Sequence, residues 1–366
     1  MSIYEKKRIN IMTSCDDNLA LFILPQLVSI DKNLSHYDVY FYLLHSRIQP
    51  ENISTLVNFA ENQTGINLHV IVVKENESFY DSIAQYGGGQ WPFEAYYSLR
   101  LQDYLPEDIE RILYIDAGDV IIDGDIGPYY FDDFEGNSII ATPLIFKKNP
   151  VSGENTLFTQ DDILAIAGKS NIFNSGSYVI NVDKFRKEGY STDDYLYLCS
   201  VLDDNKESGF VPFFGDQGFL SAAFVEDIKF FGYPQNKDAS YMPYNFVTSF
   251  WKDYTCELAY EPVVIHYAIR AKPWIVRFSD EVIDAVINNP DFIGNHLIAP
   301  IPSIACMTPQ HLRMGEIWWE YAMETPIYEE ADFRARVTAD NWIEYYFPMC
   351  RNYINTFYLL HQAKKG

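Results

Sequence analysis

Four short apolar runs in the first third of the chain alternate with segments of helical spacing, and that order leaves few folds open. RINIMTS (8–14), DVYFYLL (38–44), NLHVIVV (67–73) and RILYI (111–115) read as strands. Asn18 to Ile30 carries apolar residues at helical spacing, and Glu51 to Glu61 places Ile53, Leu56, Val57 and Ala60 on one helical face. Phe93 to Tyr104 reads as a further helix, ending before Pro106. Such alternation predicts an α/β fold, a mainly parallel central sheet covered by helices on both faces. Ligands in such sheets bind beyond the carboxyl ends of the strands. Asp16, Asp17 and Asp116 each fall just past a predicted strand end and are expected to face one crevice.

Further along, short strands are predicted at Ser138–Thr142, Ser177–Val182 and Val263–His266, and a short helix at Asp216–Phe224. Pro143 to Phe158 reads as a polar flap or insertion. From about Phe278 the pattern turns helical, at Glu281–Ile287, Pro309–Met323, Ala331–Tyr346 and Tyr353–Gln362. The expected organisation is one α/β domain over residues 1–275 and a C-terminal helical appendage over 276–366.

Charge narrows the choice of partner. The formal net charge is -24, which argues against nucleic acid or anionic lipid as the main partner. A polyanionic ligand would need local help from a metal, a helix N-terminus or a few placed cations. Five scattered cysteines, without a CxxC pair, fit reduced thiols in a cytosol better than a disulfide framework. The charged N-terminus lacks an apolar core, and the chain has no run of eighteen apolar residues. Neither a signal peptide nor a transmembrane segment is expected.

RILYIDAGDVIIDGDI (111–126) raises the chemical question. A strand that should be dry ends in Asp116, Asp119, Asp123 and Asp125. Two or three carboxylates at a strand end can hold a divalent cation through oxygen. Asp-Gly pairs also simply make turns, the expected role of Asp123-Gly124-Asp125. In SCDDNLA (14–20), Ser14, Asp16 and Asn18 could hydrogen-bond a ligand, while Asp17 or Asn18 could merely cap the helix that follows. No GxGxxG is present there, so the dinucleotide fingerprint is missing. VVIHYAIRAKPW (263–274) adds His266, whose imidazole suits Mn²⁺ better than Ca²⁺, and Lys272, a point charge for a phosphate. FNSGSYVINVDKFRK (173–187) sets Asn174 and Gly176 before a buried strand. FGDQGFLSAAF (214–224) sets Asp216 and Gln217 at a helix start, where capping alone would explain Asp216.

These stretches, in this order, resemble glycosyltransferase family 8, over roughly Ile9 to Trp274. The resemblance implies the nucleotide-binding GT-A fold and transfer of galactose or glucose from a UDP-sugar to an acceptor hydroxyl, as in bacterial lipopolysaccharide synthesis. It implies that Asp16 and Asn18 hold uracil and ribose, and that Arg100 in YYSLRL lies near the donor sugar and phosphates. Asp116 matches the first residue of the family's Asp-x-Asp metal motif, His266 its third metal ligand, and Lys272 a lysine on the diphosphate. Asn174, Asp216 and Gln217 match residues around the transferred sugar.

One departure matters. The motif here, Asp116-Ala117-Gly118-Asp119, is one residue longer than Asp-x-Asp. Aligned from the left, Gly118 replaces the second ligand; aligned from the right, Ala117 replaces the first. A bulge at Gly118 would reconcile both and bring Asp116 and Asp119 to one metal, Mn²⁺ or Mg²⁺. The family retains anomeric configuration. Gln217 is a poor nucleophile, so front-face attack is favoured over double displacement, with Asp216 as the rival nucleophile. The expected partners are a UDP-hexose donor and a glycan or glycolipid acceptor. The expected location is the cytosol, with at most loose membrane contact through a partner. Two other readings share the sheet: a UDP-sugar-binding protein without turnover, and a nucleotidyltransferase, which would want a basic Gly-rich loop that the first strand lacks.

Overall fold

The computed structural model describes residues 6–74, 77–86, 92–143, 173–204, 216–224, 226–231, 246–247, 263–267, 272–279 and 309–341. The four predicted strands of the first third are β1 (Arg8–Ser14), β2 (Asp38–His45), β3 (Asn67–Val72) and β4 (Arg111–Ile115). β1 pairs in parallel with β2 and with β4, and β2 with β3. β5 (Val120–Ile122) follows after a four-residue loop, and β6 (Ile139–Pro143), β7 (Phe173–Asn181) and β8 (Ile228–Phe230) complete the main sheet in the order β3-β2-β1-β4-β7-β6-β8. β7 runs antiparallel to β4 and β6, so the sheet is mixed but mostly parallel. β5 leaves this sheet and joins β9 (Phe246–Val247) and β10 (Val264–His266) in a second one, ordered β5-β10-β9.

Helices cover the sheet as the periodicity requires. The helix expected over 18–30 is two, α1 (Asp17–Ala20) and α2 (Ile23–Leu34), divided at Leu21–Phe22. α3 (Pro50–Gln63) opens with proline in its first turn, where the missing N–H costs nothing. α4 (Glu77–Tyr86) was not legible in advance. The helix expected over 93–104 is Phe93–Asp103, of the tighter 3₁₀ type and interrupted at Arg100. α5 (Gly127–Tyr130), α6 (Val182–Glu188), α7 (Thr192–Asp204) and α8 (Asp216–Ala223) follow. One core forms where Met12, Tyr42, Leu44, Ile112, Tyr114, Tyr178 and Ile180 meet Phe79, Tyr80, Ile83, Tyr96, Tyr97, Tyr195 and Cys199. The alternate strand residues Ile9, Ile11, Phe41, Leu43, Leu113, Ile115 and Val179 point to the other face and are equally buried.

Two compact units emerge: residues 1–247 with 258–266, and residues 248–257 with 267–366. The expected boundary after residue 275 lies a few residues beyond the step from His266 to Tyr267. The second unit holds α9 (Pro309–Ala322) and α10 (Tyr328–Asn341), where helices over 309–323 and 331–346 are expected. Their packing centres on Trp318 and Trp319, both buried, with Trp274 against Trp318 at 5.3 Å between ring centroids. Arg277 ties the helices together, pairing with Glu316 at 2.7 Å and Asp332 at 2.6 Å above the Trp319 ring. Of the expected flap over 143–158, Pro143 ends β6, and the rest lies outside the described residues, as do the helices expected over 281–287 and 353–362.

Candidate metal and donor site

Asp116 is the first residue past β4. Its N–H donates to the Gly176 carbonyl at 3.1 Å, continuing the β4–β7 ladder by one residue. Asp119 is reached through Gly118, which takes a left-handed φ of 72°. A side chain at Gly118 would be strained there, and its Cβ would stand 2.9 Å from that of Phe22. The left-handed turn is therefore the device that lets a four-residue motif return both carboxylates to one side. His266 arrives from a distant segment: it ends β10 and faces Val120 in the antiparallel β5–β10 register.

The result is a cluster. One ligand atom each from Asp116, Asp119 and His266 lies within 4.8 Å of the others, and His266 Nε2 stands 3.2 Å from Asp116 Oδ2. His266 is 5% exposed, whereas Asp116 and Asp119 are half-buried. Two hard oxygen donors and one imidazole suit a divalent ion between the hard and soft extremes. The residues present therefore fit a metal. Gly176 makes the arrangement possible: a Cβ there would sit 2.1 Å from His266 Cε1 and 2.3 Å from Nδ1. The glycine thus acts by giving the imidazole room.

Asp216 and Gln217 open α8 beside this cluster. Burial, and then the charge of Asp116, pushes the Asp216 carboxyl up to about 7, against relief from Ser175 and from backbone N–H groups at the helix start. Gln217 is buried, and its Oε1 accepts from the Ser175 N–H at 3.3 Å. Beneath them, burial and the charges of Asp116 and Asp216 hold the Tyr114 hydroxyl well above its ordinary range; Tyr178 is raised the same way, against relief from Ser98. The sequence reading missed these two tyrosines and Ser175. Tyr114 and Tyr178 face each other across β4 and β7, a register that periodicity alone does not reveal.

The donor-binding candidates divide. Asp16 is itself the N-cap of α1, accepting from the Asn18 N–H at 3.0 Å, while Asn18 Nδ2 donates to its other oxygen at 2.8 Å. The capping role expected of Asp17 or Asn18 thus falls to Asp16; Asp17 instead accepts from Gln49 N–H and Asn52 Nδ2, both at 2.8 Å. Because β1 and β4 are parallel neighbours, the Asp16–Asn18 pair and Asp116 leave adjacent strand ends on the same edge of the sheet. Ser14 is buried at the end of β1. Asn174 and Gly176 both lie in β7. Arg100 Nη1 donates to the Tyr190 carbonyl and Nε to Asp103, both at 2.8 Å. The Tyr190 hydroxyl in turn bonds Ser138, beside the end of β7 away from Gly176. Lys272 belongs to the second unit, where its ammonium donates to the Tyr267 carbonyl at 2.8 Å.

Solved structures share this architecture. The galactosyltransferase LgtC, in complex with donor and acceptor sugar analogues, aligns with a TM-score of 0.53 and 20% identity, over 73% of this chain and 89% of LgtC. The bifunctional glycosyltransferase WbbM, in its apo form, aligns with a TM-score of 0.57 and 14% identity, over 91% of this chain and 52% of WbbM. The fold is the GT-A fold of glycosyltransferases, mixed α/β with a mostly parallel central sheet. The glycosyl transferase family 8 pattern matches residues 10–276, most of the chain, and the chain belongs to that family. Among curated relatives, the glycosyltransferase GlyF of Streptococcus pneumoniae serotype 4 is 26% identical over 261 residues, which is 69% of this chain and 54% of GlyF. The lipopolysaccharide 1,2-glucosyltransferase of Escherichia coli is 24% identical over 275 residues, 74% of either chain. The chain thus spans about half the length of GlyF.

Proposed function

We propose that the chain transfers a hexose, galactose or glucose, from UDP-hexose to a hydroxyl of a glycan or glycolipid acceptor, with retention and with a divalent ion, Mn²⁺ before Mg²⁺. The observation that carries this reading is the convergence of Asp116, Asp119 and His266 past the ends of β1 and β4. An ion held by these three would supply positive charge at the leaving diphosphate, which a chain of net charge -24 otherwise repels. Asp16 and Asn18, already bonded to each other, present a carboxylate and an amide to the uracil and ribose. Lys272 is assigned to the diphosphate as a point charge.

Gln217 and Asp216 flank the sugar. The bond between the anomeric carbon and the diphosphate oxygen breaks, the bond to the acceptor oxygen forms on the same face, and the acceptor proton passes to the departing diphosphate. The buried Gln217 amide positions the sugar and is no nucleophile. Asp216 holds sugar hydroxyls. Free, buried Cys15 and Cys199 suit a cytosolic setting, and among the described residues no helix is long and apolar enough to cross a membrane.

UDP release from UDP-galactose and UDP-glucose tests the reading. Release should need Mn²⁺, stop with EDTA, and fall about 10²–10³-fold in Asp116→Asn, the scale of one lost electrostatic contact. Calorimetric UDP binding with no release from any UDP-sugar, with or without acceptor, would favour a binding protein instead. Activity indifferent to EDTA would remove the metal from the account.

A further inference from the structure

Helix α2 is apolar on most of its surface yet buries a polar stripe. Gln26, Ser29 and Asn33 recur at helical spacing on one face, and Gln26 and Ser29 are fully buried. The reason lies in β5. Asp123 N–H donates to the Val263 carbonyl, so alternate residues 121 and 123 point to β10, and 120 and 122 point away from it. Among the described residues no strand lies along that outer edge, and its buried backbone groups need partners. α2 supplies them. Gln26 Nε2 donates to the carbonyls of Asp116 at 2.6 Å and Val120 at 2.8 Å, and Gln26 Oε1 accepts from Gly118 N–H at 2.9 Å. Ser29 Oγ accepts from Ile122 N–H at 3.3 Å, and Asn33 Nδ2 donates to the Ile122 carbonyl at 3.0 Å. Three side chains of one helix stand in for a neighbouring strand.

We propose that Gln26 is a positioning residue for the metal site, fixing the loop from Asp116 to Asp119 so that both carboxylates meet His266; this rests on the metal reading above. The loop carries one residue more than Asp-x-Asp and turns at a left-handed glycine, the residue with the widest backbone freedom. The Gln26 carboxamide restricts that freedom by bridging the Asp116 and Val120 carbonyls and the Gly118 N–H, using both its N–H bonds and its oxygen. It also anchors Val120, the residue opposite His266. A hydrocarbon of similar shape would fill the space and remove these three hydrogen bonds, and the loop would be free to relax away from the imidazole.

The test is calorimetric titration of the full chain with Mn²⁺, without nucleotide, beside hydrogen exchange at the Gly118 amide. Gln26→Met should weaken Mn²⁺ binding roughly 10–100-fold, the range for residues that orient ligands, and should speed exchange at Gly118. Asn33→Leu, at the far end of the same stripe, should lower thermal stability and leave Mn²⁺ affinity unchanged. If Gln26→Met does not fold, Gln26→Asn, one methylene too short to bridge, carries the same expectation. Equal Mn²⁺ affinity in wild type and a folded Gln26 variant overturns the role of Gln26 alone. A folded wild type that binds no Mn²⁺ overturns the metal reading and this proposal together.

Discussion

Gly176→Ala isolates the geometry on which the site depends. The position has no left-handed φ, so alanine brings no backbone strain. Its Cβ would nonetheless lie 2.1 Å from His266 Cε1, 2.3 Å from Nδ1 and 2.7 Å from Nε2. Ordinary carbon contact begins near 3.4 Å, so the ring must retreat by more than about 1 Å. Nε2 now stands 3.2 Å from Asp116 Oδ2, and a shift of that size takes it out of reach of an ion shared with the carboxylates. The expected loss in Mn²⁺ affinity is roughly 100-fold, about 3 kcal/mol, comparable to removing the imidazole itself. A double-mutant cycle by titration calorimetry separates this from a general defect. Once His266→Ala has removed the ring, Gly176→Ala has nothing to displace and should cost no further affinity. Additive losses in the double variant, or wild-type affinity in Gly176→Ala, would refute the assignment of the glycine to the imidazole.

Gln217→Ala should slow UDP-hexose turnover without abolishing it, and mass spectrometry should find no glycosyl adduct on Asp216; a trapped adduct would end the front-face mechanism. In EDTA, stability should fall as pH rises from about 4 to about 7, because the folded chain keeps the Asp216 proton that the unfolded chain has lost. That slope, at most about 1.4 kcal/mol per pH unit, should vanish in Asp216→Asn, and an unchanged slope in denaturant titrations would exclude Asp216 as its source. In the second unit, Arg277→Met removes the guanidinium from Glu316 and leaves Asp332 to Arg336, and should destabilise by about 1–2 kcal/mol, between the values for exposed and fully buried pairs. Limited proteolysis of the α9–α10 region reads that loss, and a resistance equal to wild type would show the ion pairs to be inert.

The strands of the first third, the α/β class and the acidic strand end were legible in the sequence because each rests on neighbours along the chain. Alternation marks a half-buried strand and three-to-four spacing a helix, whatever the rest of the molecule does. The segment at Phe93–Asp103 is helical as its sequence reads, but its tighter 3₁₀ winding and the break at Arg100 leave no mark in the spacing. Gln26 left a trace, a polar residue inside ILPQLVSI, but a trace without a partner. Arg100 sits at a position that matches a family pattern, and only the tertiary structure shows its guanidinium held by Asp103 and the Tyr190 carbonyl.

Residue types and local periods thus determined the kind of fold and the kinds of ligand atoms available. Tertiary structure decided which of those atoms meet. Asp116 and His266 are far apart in the chain, and they converge only because β5 and β10 pair in one register, Gly176 leaves room for a ring, and Gln26 holds a turn closed. Each of these is a contact between distant segments, and its free energy exists only once the chain has been brought together around it.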